Sequence, residues 1–85
     1  MIRVLFFGQL KEQLDCAALD VDTQSIATPS TLGALLQYLQ NAYPQWCDQL
    51  QDKSVLGAIN QTLVSSEHRL LDGDEVAFFP PVTGG

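Results

Sequence analysis

The sequence predicts an α+β fold, a mixed β-sheet with one main helix packed across one face and an extended C-terminal tail. Three observations predict it. Strand-like apolar runs stand near both ends of the chain, Ile2 to Phe7 and Val76 to Phe79. A single helical stripe occupies the middle, from Leu32 to Tyr43. After Phe79 the sequence turns to Pro80-Pro81-Val82-Thr83-Gly84-Gly85, which has neither period. The expected division is a domain over 1–79 and a tail over 80–85.

Each element has its own local reason. Ile2 to Phe7 is strongly β-prone, with Ile2, Val4 and Phe6 on one face and Leu5 and Phe7 on the other. Gly8 breaks that run, and Gln9 to Leu14 suits a short helical turn. Ala18 to Thr23 alternates Leu19 and Val21 with Asp20 and Asp22, consistent with a second strand antiparallel to the first. Pro29-Ser30-Thr31 is a helix-capping signal. Leu32, Leu35, Leu36, Leu39, Ala42 and Tyr43 then make one apolar stripe, with Gln37, Gln40 and Asn41 on the wet side, until Pro44 ends the helix. Gln45 to Lys53 suits a loop with a helical turn anchored by Trp46 and Leu50. Val55 to Asn60 and Thr62 to Val64 are short strands, and the Asp72-Gly73 turn leads into the last strand. The first and last strands are expected side by side at the centre of the sheet. A sheet covered by one helix leaves Leu5, Phe7 and Phe79 on the other face, as a docking surface unless the loop from Tyr43 to Val55 folds over them.

Composition narrows the chemistry. At 85 residues and 46% hydrophobic, the chain suits one domain near the lower limit for a core without metal or disulfides. Ten acidic residues against four basic ones give a net charge of −6, which argues against nucleic acid and against anionic membranes as partners. No apolar run approaches a membrane span, and Met1 to Phe7 is too short for a signal peptide and lacks its flanks, so a cytoplasmic location is expected. Cys16 and Cys47 form no Cys-x-x-Cys pair and are expected to be small buried hydrophobes; His68 stands in a polar stretch without a catalytic setting. No Ser-His-Asp set, metal-ligand cluster or Gly-rich phosphate loop is present, and Asp72 and Asp74 suit turn formation better than acid–base work. The chain is not expected to catalyse anything alone.

The tail suggests a carrier instead. Two prolines cannot continue a ladder, so they lift the chain off the sheet as a stiff stem. The two glycines have no Cβ, so another protein's backbone can close around them. The six residues after Phe79 span at most roughly 20 Å. A carboxylate at Gly85 is a poor electrophile until it is coupled to AMP; a sulfur nucleophile can then displace AMP and leave a thiocarboxylate.

Met1-Ile2-Arg3-Val4-Leu5-Phe6-Phe7, Ala58-Ile59-Asn60-Gln61-Thr62-Leu63-Val64 and above all Asp72-Gly73-Asp74-Glu75-Val76 with Phe78-Phe79-Pro80-Pro81-Val82-Thr83-Gly84-Gly85 resemble the small-subunit family of molybdopterin synthase, ubiquitin-like sulfur carriers. The likeness covers essentially the whole chain, with Cys16 to Ser54 matching mainly in pattern. It implies a β-grasp fold and a chain that binds no cofactor of its own. It implies that an E1-like adenylating enzyme uses ATP to activate Gly85, and that a sulfurtransferase or cysteine desulfurase system supplies the sulfur. Gly84 and Gly85 would thread the active site of the large catalytic subunit and give sulfur to cyclic pyranopterin monophosphate, two transfers building the dithiolene. Leu5, Phe7, Phe79, Pro80, Pro81, Val82 and Thr83 would meet that subunit within a heterotetramer. The same tail also suits a carrier for thiamine or tRNA thiolation, a protein modifier joined to lysines through Gly85, or an inert interaction module.

Overall fold

In the computed structural model, residues 1–51 and 54–80 are described. Five strands form one mixed sheet: β1 (Ile2–Phe6), β2 (Ala18–Val21), β3 (Leu56–Ile59), β4 (Thr62–Val64) and β5 (Glu75–Phe79). Their spatial order is β2-β1-β5-β3-β4, with β1 and β5 parallel and every other pair antiparallel. The first and last strands are thus neighbours in the middle of the sheet, as the sequence predicts. This is the ubiquitin-like β-grasp arrangement.

Two helices lie among the strands, α1 (Gly8–Leu14) and α2 (Leu32–Ala42), with 3-10 turns at Thr23–Ser25 and Pro44–Trp46. The alternation of β1 and β5 puts Ile2, Val4, Phe6, Val76 and Phe78 on the inner face, all buried. Leu32, Leu35, Leu36 and Leu39 of α2 complete that core. At the start of α2, Thr31 Oγ1 accepts from the Ala34 amide, and the Leu32 and Gly33 amides donate to the carbonyls of His68 and Ser66. Those bonds satisfy three of the four amide groups that a helix start leaves open. The expected cap is therefore in place.

Several local expectations are corrected. Gly8 does not merely end the first strand: at φ +62° it opens α1, two turns that bury Leu10 and Leu14. Of the α2 stripe only Ala42 is exposed; Tyr43, at the C-cap, packs half-buried against the core and stacks on Trp46, 4.3 Å between ring centres. Gln40 is half-buried rather than wet; its side-chain amide donates to the Leu50 carbonyl at 2.7 Å and ties down the following loop. Cys16 is half-buried against the core, whereas Cys47 is exposed and not the small core residue expected. Among the described residues no helix is long and apolar enough to cross a membrane.

Gly57 is where α2 presses on the sheet. A Cβ there would overlap Leu32 Cδ2, so helix and sheet approach this closely only because position 57 carries no side chain.

Candidate functional site

The outer face of the sheet divides in two along the strand direction. At the starting ends of β1 and β5 lies a charged row, in which Arg3 pairs across strands with Asp20 and Glu75 and its Nε donates to Asp20 Oδ1 at 2.9 Å. At the finishing ends the face is apolar. Leu5, Ala77 and Ala58 are partners across β1, β5 and β3, and Leu63 of β4 extends the same row. One step further Leu56 is opposite Phe79. These side chains line a shallow groove of about 680 Å³ that ends at Pro80.

Exposure decides which face is unsatisfied. Leu63 is 66% exposed, Phe7 41% and Leu56 38%. Contiguous apolar surface of this kind is uncommon on a protein that works alone, and marks a contact surface. The described residues of the loop after α2 do not cover it: Trp46 and Leu50 are buried in the inner core, with Trp46 edge-on to Phe6 at 5.6 Å.

The structure therefore brings together four of the residues singled out in the sequence, Leu5, Phe7, Phe79 and Pro80, at one end of the outer face. Phe7 and Phe79 stack, 5.0 Å between ring centres and 12° between planes. Pro81, Val82, Thr83, Gly84 and Gly85 lie outside the described residues. Leu56, Ala58, Leu63 and Ala77 were missed. Strand parity could have found them: once Gly57 and Ile59 are inner, Leu56 and Ala58 must be outer, and Leu63 follows across the hairpin.

At the opposite end the carboxylates act as ties. Asp74 Oδ2 accepts from the Leu71 amide and its Oδ1 from the Asn60 side chain, whose own oxygen accepts from the Glu75 amide. Asp72 accepts from the Met1 ammonium and the Thr23 hydroxyl. The hydrogen bond from that ammonium, then the one from Thr23, hold the Asp72 carboxyl below the usual carboxylate range. Among the described residues no group of His, Cys, Asp and Glu could hold a metal ion.

The ThiS family model matches residues 4–85. The chain is 49% identical, over the full length of both sequences, to the molybdopterin synthase sulfur carrier subunit of Escherichia coli strain K12. Among solved structures it is similar to SAMP1 of Haloferax volcanii, with a TM-score of 0.77, 26% identity, and coverage of 99% of this chain and 98% of that one. It is also similar to a chain in the complex of subunits 1 and 2 of molybdopterin-converting factor from Helicobacter pylori 26695, with a TM-score of 0.66, 27% identity, and coverage of 99% and 97%.

Proposed function

Because the chain belongs to the ThiS family, we propose that it is the sulfur carrier subunit of a molybdopterin synthase. The full-length likeness to the carrier subunit of Escherichia coli carries the reading. The geometry agrees with it, since the apolar half of the outer face ends where the chain leaves β5 towards Gly84 and Gly85.

The chemistry runs through Gly85. An E1-like enzyme joins its carboxylate to AMP from ATP and releases pyrophosphate. A persulfide held by a sulfurtransferase or cysteine desulfurase displaces AMP to give an acyl disulfide, and a second thiol cleaves its S–S bond, leaving the thiocarboxylate on Gly85 and a disulfide on the donor. That sulfur attacks an electrophilic carbon of cyclic pyranopterin monophosphate, the C–O bond at that carbon breaks as its oxygen substituent leaves, and carrier and product are joined as a thioester. Water cleaves the thioester at the Gly85 carbonyl, so the sulfur stays on the product and the carboxylate is regenerated. A second charged carrier supplies the second sulfur of the dithiolene.

The partner is a large subunit, as in the two-subunit complex from Helicobacter pylori. Its active site receives Gly84 and Gly85, and Leu5, Phe7, Phe79 and Pro80 dock against it, with Pro81, Val82 and Thr83 bridging to the tip. The carrier holds no cofactor, works in the cytoplasm, and sits at each end of a heterotetramer built on a large-subunit dimer. Likeness to SAMP1 favours a second reading, conjugation of Gly85 to lysines, which would show as lysine-linked adducts in cells.

The test is the intact mass of the chain after incubation with ATP, the E1-like enzyme and a sulfur donor. The expected gain equals one oxygen replaced by sulfur, mapped to Gly85. An unchanged mass with demonstrably active partners overturns the reading.

A further inference from the structure

The turn that joins β1 to α1 meets the end of β5 in three ways. The Phe7 amide donates to the Phe78 carbonyl at 3.1 Å, closing the parallel ladder at its last pair, Phe6 and Phe78. The Phe7 ring stacks on Phe79. Gly8, at φ +62°, faces the Pro80 ring: a Cβ on Gly8 would lie 3.4 Å from Pro80 Cγ and 3.5 Å from Cδ. A methyl group there makes ordinary contact with the ring, and a longer side chain has to turn away from it or displace it.

We infer that Phe7 and Gly8 are positioning residues that set the direction in which the chain leaves the sheet at Pro80. This rests on the sulfur-carrier reading. Pro80 has a fixed φ, and Phe79, preceding a proline, is confined to extended conformations. Few soft torsions therefore remain at the root of the tail, and the Phe7 ring and the seat on Gly8 restrict them further. A change of direction at this root changes the path open to the chain that carries Gly85. Misplacement of a reacting atom by about 1 Å is enough to cost about a hundredfold in rate. Gly8 thus does two things: its backbone conformation starts α1, and its missing side chain leaves room for the proline.

Two substitutions at Gly8 separate these roles. Asparagine tolerates a positive φ but brings bulk against Pro80, whereas alanine strains the backbone and adds only a methyl at contact distance. Phe7→Leu keeps an apolar contact and removes the ring stacked on Phe79. Each variant is charged as the thiocarboxylate and mixed with the large subunit and pterin precursor. Single-turnover transfer is measured at saturating large subunit, with Kd measured separately and the melt as a fold control.

The expected result for Gly8→Asn is a transfer rate roughly ten- to a hundredfold lower, with Kd moved much less. Gly8→Ala is expected to lose far less rate than Gly8→Asn, and Phe7→Leu to fall between them. Equal rates for Gly8→Asn and the unsubstituted chain would overturn the inference while leaving the carrier reading intact. Loss confined to Kd would also overturn it, by making Gly8 a docking residue only. A charged, unsubstituted chain that transfers no sulfur to the precursor would overturn both.

Discussion

Single residues decide more here than composition suggests. Gly57 is the point where α2 presses on the sheet, so Gly57→Ala forces Leu32 or the strand to move. Overpacking of this kind typically costs about 1–3 kcal/mol, and the urea midpoint of Gly57→Ala is expected to fall accordingly. Asp72 gives a pH dependence. Its carboxyl titrates lower in the folded chain than in the unfolded one, so the unfolded state binds its proton first as pH falls. The resulting stability is present above about pH 4 and is lost below it. Asp72→Asn is therefore expected to flatten the acid limb of stability against pH, and an unchanged acid limb would count against the tie. The Gly73 turn was legible from Asp-Gly. The hairpin turn at Asn60 and Gln61 was not, because Gln61 adopts φ +74° without being a glycine.

At the scale of elements, periodicity was a good guide where one face meets the core and a poor one at the ends. Leu32, Leu35, Leu36 and Leu39 are the predicted stripe, and Thr31 is the cap. Thr31→Ala is expected to cost about 1 kcal/mol, read as a lower melting temperature. Ala42 and Gln40 departed from the pattern because the chain turns at Pro44, leaving Ala42 exposed and bringing the Leu50 carbonyl to the Gln40 side chain. The α1 helix was legible only as a turn, since a glycine at its first position normally argues against a helix. On the outer face, Leu5, Phe7 and Phe79 were legible from strand alternation, while Leu56 and Leu63 became visible only once the register was known. Leu63→Asp puts a charge on that face where the wild-type side chain is already exposed. It is expected to raise the Kd for the large subunit at least tenfold, a loss of about 1.4 kcal/mol, with the melt nearly unchanged. Unaltered affinity would move the docking surface elsewhere.

For the whole molecule, the two faces of one sheet divide the work. The inner face holds the fold together, and its buried cluster runs from Ile2 to Phe78. The outer face carries charge at one end and apolar surface at the other, and the chain leaves from the apolar end. A net charge of −6 steers such a carrier toward basic surfaces, most strongly at low salt. Removing Gly84 and Gly85 leaves every residue of that buried cluster in place, so the melt is expected to hold while sulfur transfer is lost. The most direct test of the central claim is to mix the thiocarboxylate form with the large subunit and cyclic pyranopterin monophosphate and follow both carrier mass and product. Two thiocarboxylates consumed per dithiolene formed, with the carrier returned as the carboxylate, is the predicted result. A thiocarboxylate that persists beside bound large subunit and precursor would contradict it.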